Sequence, residues 1–76
     1  MTNKDAIDYK NLNGQFPTVV ATSIPEGATS NTGTIVGLLP IGAVVKFDGR
    51  ESCVLYKTEN PPGENSDKIL ANLTIQ

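Results

Sequence analysis

Few residues of this 76-residue chain are of a type that could do covalent chemistry. Cys53 is the single cysteine, and the chain has no histidine that could activate it as a nucleophile. The residue stands in the apolar run at residues 52–57, where a thiol usually packs as a small hydrophobic group. We therefore predict that Cys53 is part of the core. The serines have no base beside them either; they are Ser23, Ser30, Ser52 and Ser66.

Acidic residues form three pairs with a spacing of three, and each pair lies in a polar segment. The pairs are Asp5 with Asp8, Asp48 with Glu51, and Glu64 with Asp67. General acid–base catalysis needs a carboxylate held in a cleft that tunes its acidity, and nothing in these polar segments indicates a cleft. We interpret the three pairs as solvated surface charges.

The sequence also lacks the motifs that bind metals or phosphates. A zinc site is disfavoured because there is no histidine and no second cysteine. The oxygen-rich segment 59–67 is interrupted by Pro61-Pro62 and does not have the spacing of a calcium-binding loop. Residues 30–33 lack the lysine and the following helix of a phosphate-binding loop. We expect no catalytic residue, metal or cofactor, and a catalytic or ligand-binding barrel is the least favoured alternative.

Composition excludes several classes of partner. The net charge is −2, and the six lysines and arginines are scattered, so no basic patch for nucleic acid is expected. No apolar run approaches the ~20 residues that span a membrane. The first residues lack the apolar segment of a signal peptide, which favours synthesis in a cytoplasm.

A chain of this length also has a limited core. Such a domain buries only about 60% of the surface that its unfolded chain exposes. Disulfides and structural metals are the usual supplements, and both are disfavoured here. Oligomerisation or docking on a partner is therefore the expected source of further stability.

Residues 1–16 are predicted to form an extended N-terminal arm. Apolar residues appear singly within it, at Ile7, Tyr9, Leu12 and Phe16. The alternative is a helix over residues 4–12 that is capped by Asn3. That helix would be shorter than the ~12–15 residues at which isolated helices become marginally stable, so the extended arm is favoured.

Residues 17–76 are predicted to form one small β domain. Runs of β-branched and apolar residues alternate with glycine and proline turns at roughly ten-residue spacing. The predicted strands cover residues 18–22, 34–39, 43–47, 52–57 and 68–75. Gly37 indicates a bulge, and Asp48-Gly49 indicates a hairpin turn. The expected fold class is all-β, as a small antiparallel β-sandwich or barrel with the extended N-terminal arm.

Several predicted strands carry apolar side chains on both faces. Val44-Val45 and the run at residues 54–56 are examples. Since successive side chains of a strand point to opposite faces, one face would hold apolar groups outside the core. So small a protein cannot cover both faces from within, and we expect one sheet face to meet a neighbouring chain.

The C-terminal half has a recognisable order of segments. It begins with a strand at residues 42–45 that contains glycine, a small residue and valine, and the turn Asp48-Gly49 follows. A valine-leucine-tyrosine strand at residues 54–56 comes next. A polar loop then leads to a closing apolar strand at residues 69–73. Over roughly residues 34–76 the chain resembles the capsid-decoration and head-fibre base domains of tailed bacteriophages. It departs from them at Asn72, where glycine or a bulky aromatic residue is frequent, and it lacks the long shaft of the fibre-bearing members.

The resemblance implies a structural, non-enzymatic virion protein that binds the outer capsid surface as a decoration or cement subunit and stabilises the shell. Its partners would be the major capsid protein and further copies of itself, as a trimer or dimer, with no small-molecule substrate. The arm residues predicted to bind the partner are Ile7, Tyr9, Leu12 and Phe16. The alternative is a small non-catalytic adaptor or another virion component of the tail or baseplate.

Overall fold

The computed structural model describes residues 1–58 and 70–76. These residues form one helix and five strands: α1 (Asn3–Asn13), β1 (Thr18–Ala21), β2 (Thr32–Leu39), β3 (Gly42–Phe47), β4 (Val54–Lys57) and β5 (Leu73–Ile75). The strands build a single antiparallel sheet in the order β4-β3-β2-β1-β5. The prediction of a small β-rich antiparallel fold is confirmed, whereas a sandwich or a barrel is not.

The N-terminal segment forms helix α1, so the prediction of an extended arm is wrong over Asn3–Asn13. The helix begins with a capping box in which the Thr2 hydroxyl accepts the Asp5 N–H at 3.0 Å. The Asp5 carboxylate in turn accepts the Thr2 N–H at 2.9 Å. Two backbone donors at the helix start are thereby satisfied. Gly14, with a φ of 84°, ends the helix in the left-handed conformation.

Tertiary contacts supply the stability that an isolated helix of 11 residues lacks. Ala6 is fully buried in the same core as the strands. The Asn3 side-chain amide donates to the Leu39 carbonyl at 3.3 Å. The Met1 amino group donates to the Leu73 carbonyl at 3.1 Å. Local sequence does not reveal these contacts, which explains why the helix over residues 4–12 was the less favoured alternative. That alternative is confirmed as a helix, although its cap is Thr2 and not Asn3.

The register between β2 and β3 contains the bulge predicted at Gly37. Ile35 pairs with Val45, but the next pair along is Gly37 with Val44, so Val36 is the extra residue. A bulge of this kind places two residues of one strand opposite one residue of its partner. Side-chain alternation therefore changes phase within β2.

The core lies on one face of the sheet, beneath α1. Its buried members are Ala6, Val19, Ala21, Ile35, Ala43, Val45, Phe47, Leu70 and Leu73. The Phe47 ring packs against Tyr56, with centroids 5.9 Å apart. Gly33 pairs with Phe47 across β2 and β3. A Cβ atom at Gly33 would lie 2.9 Å from Phe47 Cδ1, so glycine leaves room for the ring.

The C-terminal strand is shorter than predicted. β5 covers only Leu73–Ile75, because the chain turns between Leu70 and Leu73. The Leu73 N–H donates to the Leu70 carbonyl at 3.1 Å, and the Leu70 side chain fills the core. The predicted start of this strand and the predicted proline-rich loop, at residues 59–69, lie outside the described residues.

Candidate protein-binding surface

Cys53 is exposed, which makes the prediction that it packs in the core wrong. The predicted strand at residues 52–57 begins two residues later, at Val54, where pairing with Val45 starts. Cys53 consequently belongs to the loop between β3 and β4. A run of apolar residues cannot by itself show where the register of a hairpin begins.

Two of the three carboxylate pairs lie in the part of the chain that the structure describes, and both are exposed. Asp5 and Asp8 are exposed on α1, and Asp48 and Glu51 are exposed in the β3–β4 loop. Across residues 1–58 and 70–76, no three acidic or cysteine side chains converge on a common point that could hold a metal ion. The pair Glu64 and Asp67 lies outside this part of the chain. No described helix is long and apolar enough to cross a bilayer.

The side of the sheet opposite the core, called here the outer face, carries exposed apolar side chains. They alternate along the strands with residues that pack in the core, and the β2 bulge adds one more. Leu55 pairs with Val44, and Val44 pairs with Gly37 beside the bulge residue Val36. An apolar row therefore crosses β4, β3 and β2. We define the outer patch as Val36, Leu39, Ile41, Val44 and Leu55.

The outer patch is substantially open to solvent. Val36 is 54% exposed and Leu39 is 45% exposed. Ile41, in the turn between β2 and β3, and Leu55 are each 37% exposed, while Val44 is half-buried. Single exposed apolar residues are ordinary, but neighbouring ones on a sheet are typical of interaction sites. This cluster is the strongest candidate site in the described residues.

Lysines flank the outer patch. The charged residues of the five strands are Lys46 on β3 and Lys57 on β4, and none of these described strands contains a carboxylate. Lys57 is exposed and shares the outer face with Leu55, two residues earlier. Lys46 donates through its ammonium group to the carbonyls of Phe47, at 3.5 Å, and Arg50. Lys57 is therefore the strand cation beside the outer patch, because the Lys46 ammonium is held at the β3–β4 loop.

A groove of about 530 Å³ runs between the end of α1 and the strands β1 and β2. Lys10 and Phe16 line one wall, and the Lys10 ammonium lies 4.6 Å from the centroid of the Phe16 ring. Thr18 and Thr34, which pair across β1 and β2, contribute to the sheet side together with Val36. Because Val36 also belongs to the outer patch, the groove and the patch are continuous.

Carboxylates are concentrated instead in the loops at the far end of the sheet. Glu26 lies in the β1–β2 loop, and Asp48 and Glu51 lie in the β3–β4 loop. Arg50 links the two loops, since its Nε donates to the Glu26 carbonyl at 2.9 Å and its Nη1 to the Ser52 carbonyl at 2.6 Å. Among the described residues, Lys57 thus lies beside the outer patch, whereas three carboxylates and the Lys46 ammonium lie at this loop end.

The four residues predicted to bind a partner do not share one surface. Helix positions rotate by about 100° per residue, so Tyr9 and Leu12 are neighbours on one side while Ile7 lies on another flank. Leu12 is 86% exposed, Ile7 40% and Tyr9 37%. Phe16 is half-buried and lines the groove beside the outer patch. The contribution of these four residues to binding stays a prediction.

The sequence predicts that apolar groups lie on both faces of the sheet, but it does not identify the outer patch. The apolar neighbours at residues 44–45 and 54–56 do not show that Val44 and Leu55 are the outward residues. Val36 and Leu39 were not recognised as part of a site. The signal was Gly37, because the bulge that it marks changes which residues of β2 face the core.

No protein-family model, curated protein or solved structure matches this chain.

Proposed function

We propose that this protein is a non-catalytic structural subunit that binds the outer surface of a phage capsid and stabilises the shell. The observation that carries the proposal is the outer patch, an exposed apolar surface on a paired sheet. The segment order shared with phage decoration domains indicates the class of partner, which is the major capsid protein. The subunit would reside on the virion, after synthesis in the host cytoplasm.

The energetics of such docking are favourable for a small subunit. Fully burying a valine, leucine or isoleucine side chain contributes roughly 1.5–3 kcal/mol, and the outer patch offers partly exposed groups of this kind. Most of the outer patch lies on paired strands, so binding would order few new backbone torsions. Association into a trimer or dimer, which is part of the proposal, would multiply these contacts through avidity.

The test is cosedimentation with empty shells assembled from the major capsid protein encoded in the same genome. We expect the purified chain to saturate the shells and to raise the temperature at which they open. The double variant Leu39→Ser, Leu55→Ser should weaken binding by at least about tenfold, which corresponds to ~1.4 kcal/mol. Ile24→Ser is the matched control, because Ile24 is 59% exposed but lies in the β1–β2 loop.

Two results would contradict the proposal. A folded wild-type chain that does not bind shells would exclude a decoration role, and binding to tail or baseplate proteins of the same genome would then favour the adaptor alternative. Equal affinity of the double variant and the wild type would exclude the outer patch. In that case Leu12→Ser would test whether the helix carries the contact.

A further inference from the structure

We propose that the surface bound by the outer patch has an apolar centre flanked by carboxylates. This inference rests on the proposed function and specifies the chemistry of the partner surface. It follows from the distribution of charge around the outer patch, which the apolar residues alone do not indicate.

The strands differ in charge from the chain as a whole. The chain as a whole is acidic, with a net charge of −2. The strands nevertheless carry only the lysines Lys46 and Lys57 as charged residues within the described part of the chain. The described carboxylates lie on α1 and in the loops at the opposite end of the sheet. An apolar surface with a positive border is complementary to an apolar surface with a negative border.

Lys57 is the residue best placed to contact the carboxylates of the partner surface. It is exposed at the end of the edge strand β4 and pairs with Gly42, which in turn pairs with Leu39. Gly42 has no side chain to stand between Leu39 and Lys57. A partner carboxylate that approaches Lys57 would therefore sit beside the buried apolar contact, where partial desolvation strengthens an ion pair.

The groove at the end of α1 supplies a second cation on the other side of the outer patch. Lys10 lies over the Phe16 ring there, and Val36 lines the same groove. A partner that covers Val36 would bring its border close to Lys10. The outer patch thus has a cation on both sides, Lys10 near β2 and Lys57 on β4.

A second copy of this chain is a poor occupant of the outer patch in a face-to-face dimer. Such a dimer would bury two copies of Lys57, with no strand carboxylate to pair with them among the described residues. Like charges opposed across an interface are strongly unfavourable. The same few separated lysines make a poor phosphate-binding surface, because nucleic acids are bound by clustered basic residues.

The experiment measures binding to the same capsid shells for wild type, Lys57→Gln, Lys57→Glu and the control Lys4→Glu. Lys4 is exposed on α1 and pairs with Asp8 at 2.7 Å, so Lys4→Glu makes the same charge change away from the strands. We expect Lys57→Glu to raise Kd by about tenfold and Lys57→Gln by about threefold. The control should stay within about twofold. Wild-type affinity should fall with added salt, and less steeply for Lys57→Gln.

The outcomes distinguish a failure of the acidic border from a failure of the decoration role. Shell binding that is insensitive to both salt and Lys57→Glu would overturn the acidic border while leaving the decoration role intact. Light scattering that shows a wild-type oligomer dissociated by Lys57→Glu would also overturn it, because a second copy would then occupy the outer patch. Absence of wild-type binding would overturn the proposed function and the inference with it. Circular dichroism confirms that each variant is folded.

Discussion

The Tyr56 side chain lies between the core residue Phe47 and the charged loop residue Arg50. Its ring packs at a tilt of 53° against Phe47, and the residue is half-buried. Burial raises the pKa of Tyr56 above its ordinary value of 10.0, while the positive charge of Arg50 opposes that rise. Burial dominates because an ionised phenol loses hydration next to the apolar core.

The raised pKa predicts a loss of stability in alkaline solution. The folded state holds the Tyr56 proton more tightly than the unfolded state does, so the protonated side chain stabilises the fold. This stabilisation is fully present below pH 10.0 and is lost as the pH rises through the pKa of Tyr56 in the folded state. Urea denaturation over a pH series measures it. We expect the alkaline loss to be smaller in Tyr56→Phe than in wild type. Identical curves for Tyr56→Phe and wild type would refute the prediction.

Strand β2 shows how two glycines in one element have different roles. Gly33 faces the core, and an added Cβ would lie 2.7 Å from Val45 Cγ1 and 2.9 Å from Phe47 Cδ1. Gly37 lies next to the bulge, and an added Cβ would meet nothing within 4 Å. Gly33 is therefore required by packing, whereas Gly37 is not.

Alanine substitutions should separate the two positions. Gly33→Ala should lower the free energy of unfolding by about 1–3 kcal/mol, because the methyl group overpacks the core. Gly37→Ala should leave stability unchanged or raise it by up to about 1 kcal/mol, since alanine restricts the unfolded chain. Chemical denaturation of both variants is the measurement. Equal losses at the two positions would show that the core accommodates the Gly33 methyl group.

At the scale of the molecule, the N-terminal helix and the sheet share one core. Ala6 is fully buried, and Met1 and Phe16 pack against the same cluster of strand residues. The Asn3 amide adds a hydrogen bond to the end of β2. Ala6 of the helix thus reaches the core on one face of the sheet, and the outer patch occupies the other face.

Removal of residues 1–16 should consequently destabilise the whole domain. We expect the truncated chain to lose at least about 2 kcal/mol of unfolding free energy, because apolar groups of the core become exposed. Leu12→Ser is the control, and it should change stability by less than about 0.5 kcal/mol because Leu12 is 86% exposed. Denaturation followed by circular dichroism distinguishes the two. Unchanged stability of the truncated chain would mean that the sheet is self-sufficient.

The parts of the fold that were predictable are those governed by short-range pattern. β1 and β3 were located to within a residue, and the Gly37 bulge was anticipated, because β-branched runs and glycine interruptions act over a few residues. The start of β4 and the length of β5 were wrong, since pairing partners distant in sequence decide where a strand ends. The apolar runs at residues 44–45 and 54–56 predict groups on both faces, but they do not show which residues form the outer patch, because burial depends on distant parts of the chain.

What composition and pattern alone establish is a small antiparallel β-rich domain in which some strands place apolar groups on both faces. The tertiary structure decides which of those groups stay exposed. Helix α1 forms because Ala6 and Asn3 meet the core and Leu39, which are separated from them by long stretches of chain. The same long-range packing buries Leu70, exposes Cys53 and leaves Leu55 outward beside Lys57. Burial is a property of the assembled chain, so no local window of sequence contains it.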